Sequence, residues 1–349
     1  MTRIAIDAMG GDYAPFEIVA GAVWGATEYG VAIELVGKQD VIQECLDKIQ
    51  REGFLSDCGK SGNEQRVQVD IKNLDIKITN ATEVIEMGEA PGQAIRKKKD
   101  SSIVLSVNSV ATGSSDALVA AGSTGAAMAS SLFGLGRIHG IDRPAIAVTL
   151  PTMQKPLVVI DGGANSSCTP QMLKQFAIMG RIFSKNVLGV DNPRVGVLNI
   201  GEEAGKGNEL AQQTYNLLEE EKEKHNFVGN VEGKELLLNQ CDVVVCDGFA
   251  GNVVLKVVEG TSSLLFKMIK NEFKSGLLGM LVGALAKPFI RKIYGRINYE
   301  EFGGCLLLGV KGITVIAHGR SKAYAIKNAV RVAKEAVVTQ VNQKIAESI

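Results

Sequence analysis

The chain has 349 residues, and its 38 lysines and arginines are matched by 38 aspartates and glutamates, so the formal net charge is zero. That balance excludes nucleic-acid binding through bulk positive charge, and aromatic residues at 5% leave few rings on which bases could stack. Hydrophobic residues at 46% and charged residues at 22% are ordinary for a globular protein, and the chain is long enough to bury a large core.

From the N-terminus, short β-branched runs alternate with longer helical patterns. Strands are predicted over 3–8, 32–36, 75–79, 117–121, 145–150, 157–160, 194–199, 243–246 and 313–317. Helices are predicted over 15–29, 40–51, 125–137, 170–183, 209–225, 252–274 and 321–347. This alternation predicts a three-layer α/β/α fold with a mostly parallel sheet. No low-complexity linker or internal repeat divides residues 1–349, so one catalytic domain is expected. Residues 51–68 read as a polar surface insertion, and Glu219–Lys224 as a solvated charged helix face.

The opening MTRIAIDAMGGD reads as a strand and a turn with no apolar run of signal-peptide length, which points to a cytoplasmic, reduced protein. The six cysteines (Cys45, Cys58, Cys168, Cys241, Cys246, Cys305) form no CxxC pair, and His139, His225 and His318 are far apart, so neither zinc nor a disulfide framework is expected. The uncharged stretch 117–136 is rich in Gly, Ser and Ala, and 275–286 is too short to span a bilayer. GFLSDCGKS (53–61) has one residue too many between its glycines for a P-loop and follows a helix instead of a strand. There is no GxGxxG after the first strand and no GxSxG.

The ends of the predicted strands carry AMGGDYAP, AGSTGA, DGGANSS and NIGEEAGKGNE, each followed by a helix. Small residues there free backbone N–H groups to point outward beside a positive helix end, which suits an anion. Their recurrence predicts a phosphate or oxyanion pocket shared among several loops, with Asp7, Gly10, Gly11, Ser123, Thr124, Gly125, Asp161, Gly201, Asn208 and Glu209 as candidate binding residues. Lys206, between two glycines, offers an ammonium, and Asn252 and Asn165 offer amide donors to a developing oxyanion. Asn208 and Asn252 are equally readable as helix N-caps, and Asp7 as a turn anchor. No Ser–His–Asp or Cys–His set stands out, so direct transfer between two bound substrates, with no cofactor or metal, is favoured over a covalent enzyme intermediate.

Residues 264–297 hold seven basic residues against one acidic, a local +6 that leaves −6 for the remainder. Read as one helix, Phe266, Ile269, Phe273, Leu277 and Met280 share a face, and Pro288 opens a second basic turn. An uncharged tip with Leu277, Leu278, Leu281, Val282 and Leu285 between basic flanks suits an anionic membrane surface. Residues 264–297 are therefore expected to protrude from the α/β/α domain as an amphipathic helical hairpin, the alternative being a hairpin packed in the core or in a dimer interface.

Across nearly the whole chain these segments resemble the PlsX family, the phosphate acyltransferases of bacterial phospholipid synthesis. The resemblance is carried by IAIDAMGGDYAP, EVIEMGEAPGQAIRKKKDSS, AAGSTGA, RPAIAVTLPT, VVIDGGAN, LNIGEEAGKGNEL, VCDGFAGNVVLK and EEFGGCLLLGVKG, in that order. It implies transfer of an acyl group from acyl carrier protein to inorganic phosphate, giving acyl phosphate. It further implies a homodimer, a fold similar to the isocitrate/isopropylmalate dehydrogenases and phosphotransacetylases, and peripheral attachment to the inner face of the cell membrane, beside the acyltransferase that consumes the product. Acyl carrier protein is acidic, and either RKKK (96–99) or the 267–274 lysines could steer it. A phosphotransacetylase-like use of acyl-CoA and a membrane scaffold without activity are the competing readings.

Overall fold

Short runs rich in Ile, Val, Leu and Ala build the central sheet of the computed structural model, which describes residues 1–57, 64–297 and 299–349. In chain order the strands are β1 (Arg3–Asp7), β2 (Ala32–Gly37), β3 (Phe54–Asp57), β4 (Glu64–Val67), β5 (Ile76–Asn80), β6 (Ala117–Ala120), β7 (Ala145–Leu150), β8 (Leu157–Ile160), β9 (Val195–Asn199), β10 (Phe227–Glu232), β11 (Val243–Val245), β12 (Cys305–Leu308) and β13 (Ile313–Ile316). The helices are α1 (Phe16–Tyr29), α2 (Gln39–Glu52), α3 (Pro91–Lys97), α4 (Ser102–Ala111), α5 (Thr124–Leu135), α6 (Pro170–Asn186), α7 (Glu209–Glu219), α8 (Lys222–His225), α9 (Gly248–Glu272), α10 (Gly276–Ile297), α11 (Ala323–Val338) and α12 (Val341–Ala346).

Eleven strands form one sheet in the order β10-β9-β11-β8-β7-β12-β13-β6-β1-β2-β5. The five strands from β13 to β5 are mutually parallel, as are the four from β10 to β8. Between them β12 is antiparallel to both β13 and β7, and β7 is antiparallel to β8. These three reversals turn the two parallel halves against each other. One face is covered by α1, α2, α6 and α11, whose Ile18, Ile42, Phe176 and Ile326 join Ile4, Ile6 and Ile160 in the main core. The other carries α3, α4 and α5.

The parallel α/β architecture is as expected, with corrections in detail. Helix 209–225 breaks into α7 and α8, and helix 321–347 breaks at Gln340, whose φ is +53°. Strands β10 and β12 and helices α3 and α4 were not anticipated. The insertion at 51–68 supplies an antiparallel β3–β4 pair, and Phe54 within it is buried against Trp24, with ring centroids 5.7 Å apart. Residues 58–63, with Cys58 and the last four residues of the P-loop-like string, lie outside the described residues.

A buried carboxylate ties the N-terminal half together. Glu34 on β2 is fully buried and accepts hydrogen bonds from Thr79 Oγ1 (2.6 Å), Ser115 Oγ (2.7 Å) and Lys77 Nζ (2.9 Å). Burial pushes its pKa up, but these donors together outweigh it and hold the carboxyl at about 2. Because that lies below the ordinary ~4.3 of an unfolded chain, the contribution to stability is complete above ~4.3 and is lost as pH falls through about 2. Glu34→Gln is therefore expected to cost on the order of 2 kcal/mol at pH 7. The gap in melting temperature to wild type should narrow between pH 4 and pH 2; a gap unchanged across that window contradicts this account.

Candidate active site

The loops that follow β8, β9 and β11 leave the sheet at one end, because these three strands are adjacent and parallel. In the first loop Asp161 is fully buried. Its carboxylate accepts from the N–H groups of Ile146 (3.1 Å), Gly163 (3.0 Å), Ala164 (2.9 Å) and Asn165 (2.7 Å), and from Asn165 Nδ2 (2.8 Å). Those donors fill the lone pairs of a carboxylate, so Asp161 holds the loop in shape and has no direction left for a substrate. Asn165 Nδ2 spends its second hydrogen on the Pro144 carbonyl at 2.8 Å. Asp161, expected to bind substrate, and Asn165, expected as an oxyanion donor, thus direct these groups into the frame of the loop.

The third loop presses the start of α9 onto this frame. Gly248 N donates to Asn165 O at 2.7 Å, and a Cβ on Gly251 would fall 1.9 Å from Asp161 O, so only glycine permits the approach. Asp247 caps the helix by accepting from Ala250 N at 2.7 Å. Asn252 is therefore inside the helix and not its cap. Its side chain is exposed, lies over Gly163, and has no hydrogen-bond partner among the described residues.

The second loop positions Lys206. Asn199 Nδ2 donates to Lys206 O (3.0 Å), Lys206 N donates to Glu203 O (3.0 Å), and Asn230 Nδ2 donates to Glu203 O (2.9 Å). Gly207 has φ +87°, and a Cβ there would collide with Asn199 Oδ1 at 2.2 Å. The stem of Lys206 lies over Gly201, and its ammonium is exposed with no acidic partner among the described residues. Asn208 is the cap of α7, accepting from Ala211 N at 2.9 Å, and Glu209 accepts from Gln213 Nε2 at 2.8 Å. Asn199 and Asn230, both buried, are framework residues that sequence reasoning passed over. The signal available for each was a polar side chain in an apolar strand.

No thiol near this site is primed. Burial, with Asp161 and Asp247 adding to it, pushes Cys168 up to about 12 and Cys246 higher still. Among the described residues no group of three or more His, Cys, Asp or Glu is placed to hold a metal.

The remaining expected residues form a second cluster, at the ends of β1, β6 and β13, which point the opposite way along the sheet. Asp7 is buried, accepts from Met9 N at 3.3 Å, and burial pushes its pKa up. Beside it Gly10, Ser102, Gly122 and Ser123 line a hollow with room for about one water. Ser123 caps α5 by accepting from Ala126 N (3.4 Å), Thr124 is exposed, and Pro91 of α3 covers Gly125. Gly11 abuts Gly319 O, and Asp12 N donates to the same carbonyl at 2.8 Å. That contact brings in the loop 318–322, whose exposed Arg320 and Lys322 are cations sequence reasoning did not select. The single shared pocket expected from the sequence is thus two clusters at opposite ends of the strands.

Beyond the site, α9 ends at Glu272, Ser275 Oγ donates to Glu272 O at 2.6 Å, and α10 begins at Gly276 with φ +79°. The chain turns there, so Phe266 and Leu277 do not share one helix face, and Pro288 lies inside α10 instead of opening a helix. Leu277, Leu278, Leu281, Val282 and Leu285 are exposed, Leu277 at 79%. By length and composition α9 is the helix among the described residues apolar enough to cross a membrane. Its Gly248, Gly251 and Leu255 are buried, while 11% of its apolar window is.

The family model described as "Fatty acid synthesis protein" matches residues 2–344. A phosphate acyltransferase of Heliobacterium modesticaldum is 49% identical over 347 residues, covering 99% of this chain and 97% of that one. One of Dictyoglomus turgidum is 44% identical over 348 residues, with coverage of 99% and 97%. Among solved structures, a phosphotransacetylase from Streptococcus pyogenes superposes with a TM-score of 0.62 at 15% identity, covering 97% of this chain and 94% of that one. EutD phosphotransacetylase from Staphylococcus aureus gives 0.60 at 13%, covering 96% and 94%. A 4-hydroxythreonine-4-phosphate dehydrogenase from Klebsiella pneumoniae gives 0.50 at 12%, covering 97% and 100%, and extends the shared fold to dehydrogenases. With a family model spanning almost every residue and near-full-length relatives approaching half identity, the chain belongs to the PlsX family of fatty acid synthesis proteins and is an acyltransferase of the phosphate acyltransferase type.

Proposed function

We propose that this acyltransferase moves a fatty acyl group from the thioester of acyl carrier protein to inorganic phosphate, releasing acyl phosphate for phospholipid synthesis. The observation that carries the reading is the pair Lys206 and Asn252. Each is an exposed side chain without a partner among the described residues, held on a loop or helix start made rigid by buried hydrogen bonds, at the same end of adjacent parallel strands.

A phosphate oxygen attacks the thioester carbon, the carbonyl oxygen takes the negative charge, and the carbon–sulfur bond then breaks. The Lys206 ammonium offsets phosphate charge, and the Asn252 amide donates to the oxyanion. The departing pantetheine thiol has a pKa near ~8.5, so the thiolate leaves at neutral pH with little help from an acid. The unprimed thiols of Cys168 and Cys246 favour direct attack over an acyl-cysteine intermediate.

In this reading the protein is cytoplasmic and homodimeric, and the leucine-rich start of α10 rests on an anionic membrane surface next to the membrane acyltransferase that takes the product. Exposed leucines flanked by Lys267, Lys270, Lys274 and Lys287 support that placement.

Lys206→Ala and Asn252→Ala are each expected to slow phosphate-dependent release of free carrier thiol by about 10²-fold or more, with melting temperature unchanged, since both side chains are exposed. Near-normal rates in Lys206→Ala sink the assignment. Leu277→Asp combined with Leu281→Asp should abolish most co-sedimentation with anionic liposomes while leaving thiol release in lipid-free buffer intact; unchanged sedimentation assigns these leucines to packing between chains.

A further inference from the structure

The lysines near the end of α9 have a geometric relation to Asn252 that the membrane reading leaves unused. Lys267 and Lys270 are exposed and make no ion pair among the described residues, unlike Lys174, bonded to Glu221, or Lys327, bonded to Glu28. Asn252 and Lys270 both lie on α9, eighteen residues apart. At 3.6 residues per turn that is about five whole turns and roughly 27 Å, so the two side chains leave the helix on the same side. Lys256 and Lys267 fall in the same sector. Between them lie Gly260 and Ser263, which leave the track without bulk, and Glu259, whose charge is met by Lys256 at 3.0 Å.

A carrier's prosthetic arm equals four to five residues of extended backbone, or about 16 Å from phosphorus to sulfur. With its sulfur at Asn252 the arm reaches some eleven residues along the helix, so its phosphate arrives near Ser263, about one turn short of Lys267. In the rival basic patch, RKKK at the C-terminal end of α3, two of the four cations are already engaged. Lys98 is bonded to Glu89 (2.5 Å) and to Val84 O (2.7 Å), and the Arg96 guanidinium lies 6.0 Å from the Phe133 ring centroid. Moreover α3 covers Gly125 in the cluster at the opposite strand ends.

We infer that the Asn252 side of α9 is the docking track for an acidic, thioester-bearing carrier domain, with Lys267 and Lys270 seating the domain and the arm lying over Ser263, Gly260 and Lys256. This rests on the reading of Lys206 and Asn252 given above. Charge complementarity of this kind acts mainly on encounter and orientation.

The test compares wild type, Lys267→Glu with Lys270→Glu, and Lys97→Glu with Lys99→Glu, in lipid-free buffer with phosphate, using the same acyl group on acyl carrier protein and on free pantetheine. The α9 pair is expected to raise KM for the carrier thioester about tenfold and to flatten its rise with salt. Its kcat, and its rate with acyl-pantetheine, should stay within about twofold of wild type, and the α3 pair should match wild type with both donors. An unchanged carrier KM in the α9 pair, or a rise in the α3 pair instead, overturns the docking track. Loss of liposome binding with carrier KM unchanged assigns the lysines to lipid and overturns it too. Absence of phosphate-dependent turnover of acyl-pantetheine by wild type contradicts the underlying site reading instead.

Discussion

The candidate site depends on one buried carboxylate. Asp161 gathers five N–H donors around two oxygens, and through that shell it fixes the β8 loop and places Asn165. Asn165 in turn offers its carbonyl to Gly248 and so sets where α9 begins. Asn252 then stands over Gly163 because Gly251 allows the helix to touch the Asp161 carbonyl. Losing the Asp161 carboxylate strands several buried N–H groups at once, each costing about 1–3 kcal/mol. Buried negative charge thus serves as an internal template, while the outward groups are left uncharged (Asn252) or cationic (Lys206). The division of labour between a saturated inner layer and an unsaturated outer one suits the anionic substrate proposed for the site.

The two parallel half-sheets explain which part of the architecture was legible in the sequence. Runs such as ALVA, LVVI and VVV are continuous and apolar, because each lies between two strands and under two layers of helix. Helix periods follow in the same way for α1, α2 and α6. The antiparallel β12 escaped because CLLL, lodged between glycines, reads equally as a turn and as a strand. Strand order was not legible, since nothing local to a strand records its neighbour. Without that order, loops of similar composition at β1, β6, β8 and β9 look alike, although they leave in opposite directions.

Side-chain roles divided along the same line. Lys206, between two glycines, and Asn252, beside Gly251 near the start of α9, stood out in the sequence, and the structure leaves both side chains exposed. Asn165 and Asp161 carried the same kind of signal, yet they turn inward, and only their hydrogen-bond partners reveal it. The basic segment with its apolar tip was legible in charge and composition, while the break between α9 and α10 at residues 273–276 was not. Ser275 and Gly276 are the small residues that allow it, and they sit in a stretch whose apolar spacing continues the helical period.

The position of β12 and β13 also governs how such a chain can come into being. These strands, near the C-terminus, are inserted between β7 and β6, and α11 packs against α1 from the other end of the sequence. A growing chain that has reached residue 300 holds two half-sheets with nothing to bridge them, and β6 and β7 expose unpaired edges. Closure waits for the final strands and the last long helix, a highly non-local step that slows folding. A truncation that removes β12 and β13 therefore leaves open edges on both half-sheets instead of a smaller enzyme.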